Sequence, residues 1–312
     1  MESNTTNFVF LLIHAYPFSF PDFHLVFILV RQRKSAMEHM ITKGILVGVG
    51  SSGKVHMAFS NGRLLALKSW CSSCYSSLQK EEEILHRLGH CPDIVDCFGG
   101  YSTQEGNGVL VYNLVLEYAP VGSLESLIIR RKSGLLESEV QRFTRMIVRG
   151  LRDVHKEGFV HCDLKVDNIL VFHSENGGHK VKIADFGHAK RSGREEFSGA
   201  LGSQHTSDDT PPECSGNGES EAPKDIWSLG CMVVEMFTGK PAWMNCKDVN
   251  ELAVRMVSWR QVPKVLGNIS EDAKDFLRSC LEKDPTERWT AERLLSHTFI
   301  TQVPASEVPA SQ

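Results

Sequence analysis

Two short segments hold the residues best suited to chemistry in this 312-residue chain. One is His161-Cys162-Asp163-Leu164-Lys165-Val166-Asp167-Asn168. The other, Ala184-Asp185-Phe186-Gly187, follows two apolar runs joined through Asn176-Gly177-Gly178. Between them they offer carboxylates, an amide and an ammonium. Moving a phosphoryl group off a nucleoside triphosphate needs such a set: a carboxylate to orient an attacking hydroxyl and accept its proton, hard oxygen ligands to hold Mg²⁺ on the phosphates, and a cation where charge develops. Asp163 suits the first task, Asn168 and Asp185 the second, Lys165 the third. Singly, each has a plainer explanation, because Asp and Asn are common turn formers. The ordered set is what points to chemistry.

A second group lies upstream. Gly48-Val49-Gly50-Ser51-Ser52-Gly53-Lys54-Val55 places three glycines between two strand-like runs. Without a Cβ, such a backbone can approach phosphate oxygens and present its N–H groups. A dinucleotide-binding reading would need a helix directly after the last glycine and an acidic residue ~20 positions on; strand-like sequence follows instead. Further on, the apolar run Leu64-Leu65-Ala66-Leu67 ends on Lys68. An ion pair between that lysine and a glutamate of the next helix would fix the ammonium where phosphates need it. Glu81, Glu82 and Glu83 are the candidates, and Glu81 is preferred because it precedes Ile84 and Leu85 by one helical turn, on the inward side.

These residues need elements to position them. Residues 41–50, 54–59 and 64–70 read as strand, glycine turn, strand, polar turn, strand, an antiparallel meander. Residues 76–88 show helical spacing with Leu78, Ile84, Leu85 and Leu88 near one face. A further hairpin turns at Glu105-Gly106-Asn107-Gly108. After Pro120 the character changes: 123–130, 137–158, 225–238, 248–258 and 270–281 suit helices. The branched runs 168–172 and 181–183 form one hairpin among them, delivering loops to a cleft.

With these motifs in order, the chain resembles a eukaryotic protein kinase over about residues 43 to 300. The resemblance implies an α+β, bilobal fold: a small antiparallel β-sheet N-lobe with one helix over 37–119, a larger, mainly helical C-lobe over 120–302, and a tail at 303–312. It implies ATP and Mg²⁺ as cofactors. Val47, Gly48, Val49, Gly50, Ser51, Gly53 and Val55 correspond to the phosphate loop and its flanks, Lys68 to the strand lysine and Glu81 to its helix partner. Asp163, Lys165 and Asn168 form the catalytic loop, with Asp185 as the Mg²⁺-binding aspartate. Leu116 guards the back of the nucleotide pocket, Glu117 to Ala119 form the hinge that bonds adenine, and Ala66 and Leu170 sandwich the base. Pro212-Glu213, the buried helix beginning at Asp225 and Arg288, the partner of Glu213, complete the match. Lys165 is the serine/threonine form of the loop. The stretch from Gly230 to Trp243 and the closing Ser296 to Ile300 are similar to the MAP kinase kinase kinase group, particularly its short plant members. The expected activity is therefore transfer of the γ-phosphoryl of Mg-ATP to Ser or Thr of a protein substrate, a downstream kinase in a MAP kinase cascade. A nucleotide-binding scaffold of the same fold is the rival, and the complete set of catalytic positions favours the enzyme.

Two departures qualify the match. Cys162 replaces the arginine that in most relatives grips a phosphorylated activation loop, so activity is expected to depend little on phosphate at Ser192, Ser198, Ser203, Thr206, Ser207 or Thr210. Residues 202–210 lack the usual aromatic-Met pair and carry Asp208 and Asp209 instead, which points to altered peptide specificity, with basic residues opposite them.

Composition fits this reading. With 34 Lys+Arg against 38 Asp+Glu the net charge is −4, which argues against nucleic acid as a partner. The basic run Arg130, Arg131, Lys132 reads as a solvated element end. Nine scattered cysteines suit reduced thiols and a cytoplasmic location, with a nuclear pool allowed; Cys71 and Cys74 lack the second pair a zinc site needs. Residues 8–30 are strongly apolar, but Pro17, Pro21, Asp22, His14 and His24 leave pieces shorter than the ~20 residues that cross a bilayer. A membrane-associating leader, a packed extension or a stretch upstream of the functional unit would each account for residues 1–36, and the domain is read as starting at Met37.

Overall fold

The computed structural model describes residues 41–50, 53–71, 75–106, 108–175, 177–193, 222–243 and 269–302. Several expectations lie outside these residues: the apolar stretch 8–30, Ser51, Cys74, the helix at 248–258, the segment 202–213 with Asp208, Asp209 and Glu213, every phosphate-acceptor candidate except Ser192, and the tail.

The N-terminal part is an antiparallel sheet of strands β1 (Thr42–Gly50), β2 (Gly53–Ser60), β3 (Arg63–Cys71), β4 (Cys97–Gln104) and β5 (Leu110–Glu117) in the order β1-β2-β3-β5-β4. Strand periodicity sorts its side chains. Leu65 and Leu67 of β3 join Ala58 and Val115 in a small outer cluster, while Ala66 and Lys68 point to the opposite face. Strand β3 runs on to Cys71, so Lys68 lies inside a strand rather than at its end, and it is buried. Helix α1 (Tyr75–Arg87) packs on that face. Leu78, Leu85 and, just beyond the helix, Leu88 are buried along one stripe of it, and Glu81 occupies the same stripe. A glutamate at a leucine position has to find a cation.

The C-terminal part is mainly helical: α2 (Leu124–Arg131), α3 (Glu137–Lys156), α4 (Ala222–Thr238) and α5 (Glu271–Cys280), then the short α6 (Ala291–Leu294) and α7 (Thr298–Thr301). Helix α3 is amphipathic, burying Val140, Phe143, Ile147, Val148, Leu151 and Val154. Helix α4 is buried nearly all round, the pattern of a central core helix. Ser123 caps α2 and Ser270 caps α5, each hydroxyl accepting a backbone N–H of the first turn. No helix among the described residues is long and apolar enough to cross a membrane.

Short strands interrupt the helices. β6 (Gly122–Ser123), β8 (Ile169–His173) and β9 (His179–Ile183) form one sheet, and β7 (Phe159–Val160) pairs with β10 (Lys190–Arg191). The expected hairpin is β8–β9, with Ile169 opposite Ile183 and His173 opposite His179. This register puts residue 168 beside residue 184, closed by the bond from Ala184 N–H to Asn168 O at 2.9 Å. The strand pairing thus brings Asn168 and Asp185 together at the neck of the hairpin.

Candidate active site

Lys68 is the first anchor. Its ammonium donates to Glu81 Oε2 at 2.7 Å and to Asp185 Oδ1 at 2.8 Å, with Lys68 4% and Glu81 0% exposed. Burial alone would lower the lysine pKa, but the Glu81 and Asp185 carboxylates outweigh it and raise it above the ordinary value. The ammonium therefore stays charged in a dry site. The other glutamates are engaged elsewhere, Glu82 with the Tyr112 hydroxyl and Glu83 with Arg87.

Asp185 adopts a left-handed backbone, φ 63°, which Asp tolerates better than most residues. Its carboxylate also accepts from Gly187 N–H at 3.3 Å. Phe186 is fully buried, edge-on to His161 at 4.9 Å, and its N–H donates to Glu81 Oε1 at 3.3 Å. Helix α1 is tied to the same turn by Ser77 Oγ donating to Gly187 O at 3.3 Å. The strand lysine, the helix glutamate and the Asp-Phe-Gly turn form one connected unit.

Asp163 and its neighbours make the second anchor. Lys165 Nζ lies 3.0 Å from Asp163 Oδ2, and Asn168 Nδ2 donates to Asp163 O at 2.7 Å and to Asp163 Oδ2 at 3.0 Å. This fixes the amide orientation: its nitrogen is spent on Asp163, and Oδ1 accepts nothing among the described residues. The backbone bond between residues 184 and 168 brings Asn168 and Asp185 to one end of the hairpin, and an amide oxygen and a carboxylate are hard-oxygen donors of the type that suits Mg²⁺ held jointly with phosphate oxygens and water. No group of three or more His, Cys, Asp or Glu able to hold a metal lies among the described residues, so a metal here would depend on ligands that come with a substrate.

The loop carrying Asp163 is held from below. Buried Asp225, at the start of α4, accepts from His161 N–H at 2.8 Å, Cys162 N–H at 3.0 Å and the His155 ring at 2.9 Å. Burial pushes its carboxyl up, yet the His155 bond and charge, the His161 charge and the backbone N–H outweigh this and hold it below the usual value. These bonds offset the left-handed backbone of Cys162, φ 65°. His161 is buried, with Nε2 3.0 Å from Ala184 O. Arg288 stacks 5.0 Å over Trp227 and donates to Pro223 O at 2.8 Å and Glu282 O at 2.9 Å; its expected partner Glu213 lies outside the described residues.

The nucleotide-facing surface follows from the N-terminal sheet. Val47 and Val49 are exposed on β1, and Val55, Ala66 and Leu170 are half-buried. Leu116 is buried beside Ala66 in the β3–β5 register. At the hinge, Ala119 O accepts from Gly122 N–H, while its own N–H has no acceptor among the described residues. Gly53, at φ +125°, has no room for a Cβ, which would stand 2.7 Å from the Trp70 ring. At Gly50 a Cβ would meet no atom within 4 Å, and at Gly48 only Val55 at 3.8 Å. Packing accounts for Gly53; the space beneath Gly48 and Gly50 stays open.

Sequence reasoning overlooked two buried charges, Asp93, which pairs with Arg149, and Lys182. Lys182 of β9 bonds Glu117 and Asp96. A lysine between Val181 and Ile183 was the available signal, but its partners lie far away in sequence.

A five-stranded sheet with one helix, a helical body, and a hairpin that carries Asn168 and Asp185 at its neck define a phosphotransferase that works on a protein-kinase scaffold. Comparison with known proteins agrees: the family described as Protein kinase domain matches residues 41–300. Mitogen-activated protein kinase kinase kinase 20 of Arabidopsis thaliana is 42% identical over 276 residues, covering 83% of this chain and 78% of the relative. Kinase kinase kinases 17 and 18 of the same plant are each 36% identical, covering 85% and 83% of this chain and 71% and 77% of theirs. The chain belongs to the protein kinase family, in its serine/threonine branch, and uses ATP.

Proposed function

We propose that this kinase phosphorylates Ser or Thr of a downstream protein kinase in a MAP kinase cascade, using Mg-ATP, in the cytoplasm. The observation that carries the chemical reading is the Lys68 ammonium joined at once to Glu81 and Asp185. It links the sheet, helix α1 and the metal-ligand turn in one arrangement. The relatives' shared name supports the choice of substrate class.

In this reading Asp163 is the base, orienting the substrate hydroxyl and accepting its proton, and Lys165 stabilises charge on the transferred group. Asn168 Oδ1 and Asp185 would hold Mg²⁺, which when bound neutralises phosphate charge. Lys68, kept in place by Glu81, would grip phosphate oxygens. Val47, Val55, Ala66 and Leu170 would enclose the base, with the Glu117 and Ala119 backbone bonding its edge, and Gly48, Gly50 and Gly53 would let the loop close over the phosphates.

The test is transfer of radiolabel from ATP to a panel of candidate kinases and generic acceptors, followed by phosphoamino-acid analysis. Label should appear on Ser and Thr. Lys68→Met and Asp163→Asn should both abolish transfer, with Asp163→Asn retaining nucleotide binding in calorimetric titration. Label persisting in both variants would refute the assignment.

A further inference from the structure

Lys182 is a buried charge that the chemistry above does not use. It is 5% exposed, between Val181 and Ile183 in a strand that is otherwise apolar there. Taking an ammonium out of water costs several kcal/mol unless it is paired, so such a residue needs partners of high quality. It has two carboxylates, Glu117 Oε2 at 2.5 Å and Asp96 Oδ2 at 3.3 Å, and its ammonium also lies 5.5 Å from the Phe172 ring centroid.

The location of those partners gives the triad its meaning. Glu117 closes β5 and begins the hinge. Asp96 ends the segment between α1 and β4, and that segment runs along β9: Ile183 N–H donates to Asp93 O at 2.8 Å and Val95 N–H to Ile183 O at 3.0 Å. Asp96 O in turn accepts from Glu117 N–H at 2.9 Å. Lys182 is therefore the side-chain tie of a backbone relay from β9 through 93–96 to the hinge. Asp185 follows three residues later, about 10 Å of extended chain.

We infer that Lys182 is a positioning residue for nucleotide: by clamping Glu117 it sets the distance between the hinge backbone, where the base is held, and Asp185, where the phosphates are held. This rests on the proposed nucleotide site and adds a residue to it. An ion pair with three anchored ends has little freedom, so the two ends of the site keep one spacing without nucleotide present. The physical consequence is preorganisation, expressed in affinity more than in the rate of the chemical step.

The experiment compares wild type with Lys182→Met, Lys182→Arg and the double variant Lys182→Met/Glu117→Gln, the last avoiding a carboxylate left unpaired near the core. Each is assayed for KM and kcat with ATP, for nucleotide Kd by calorimetry and for melting temperature. Lys182→Met should raise KM and Kd roughly tenfold, within the range over which contacting residues couple, with kcat within about twofold. The double variant should match it rather than add to it, and Lys182→Arg should restore most of the affinity. Unchanged KM and Kd in the two Met variants would overturn the inference, as would a rise in kcat, which would mark the triad as a restraint on turnover. A fall in kcat and affinity that tracks the melting temperature would also overturn it, leaving Lys182 a structural residue. If wild type binds nucleotide but transfers nothing, the proposed function fails, while Kd still decides the role of Lys182.

Discussion

Replacing Glu81 with glutamine separates what the buried ion pair does for stability from what it does for catalysis. Removing one partner of a buried pair usually costs ~3–5 kcal/mol, because a charge is left uncompensated. Here Lys68 keeps Asp185 at 2.8 Å, and the glutamine amide oxygen can replace Oε2 as acceptor for Lys68, but its NH2 then stands at the Oε1 position and Phe186 N–H loses its acceptor. The loss is the difference between a charge-assisted and a neutral hydrogen bond plus one unpaired backbone N–H, about 2–4 kcal/mol. At about 2 °C per kcal/mol, the lower end of the range and suited to a larger chain, the melting temperature should fall by about 4–8 °C. Catalysis should suffer far more. Without the Glu81 charge, the ammonium is drawn onto Asp185 and away from phosphate, and losing one preorganised charge costs roughly 10²–10³ in kcat. Differential scanning fluorimetry paired with steady-state transfer from radiolabelled Mg-ATP reads both quantities. A variant with kcat/KM within threefold of wild type would refute the reasoning, and so would a melting temperature lowered by more than about 10 °C, which would make the pair chiefly structural.

Three further outcomes are expected. Gly53→Ala should lower stability by about 1–3 kcal/mol, since its Cβ would stand 2.8 Å from Ser69 O in a backbone with φ +125°; Gly50→Ala should leave the melting temperature unchanged and weaken nucleotide binding, as calorimetry can check. Asp225 has a folded-state pKa below its ordinary value, so the stability it contributes is present above about pH 4 and lost as pH falls through the folded value. Denaturant titrations should accordingly show wild type more stable than Asp225→Asn by about 3 kcal/mol at pH 7, with the gap closing below about pH 4. Cys162 is exposed at the position where the resemblance to protein kinases implies an arginine, so phosphatase treatment should leave turnover within about twofold; abolished turnover would contradict that expectation.

The residues that could do chemistry were legible because their spacing is local. Asp163 and Asn168 share one loop, and Asn168 and Asp185 flank two branched runs whose pairing is dictated by a glycine turn and strand periodicity. The glycine loop and the stripe of Leu78, Leu85 and Leu88 are equally short-range patterns. The preference for Glu81 over Glu82 and Glu83 rested on one helical turn, and the folded chain gives it a reason: the position belongs to the buried stripe and meets Lys68 across the sheet. Tertiary structure alone decided the rest. That Asp225 receives the N–H groups of His161 and Cys162 and that Lys182 ties Asp96 to Glu117 both depend on groups far apart in the chain meeting in a low-dielectric interior. Periodicity reports which face of an element is apolar. It carries no record of which distant charge will neutralise a buried one, because that pairing is made only when the elements dock and water leaves.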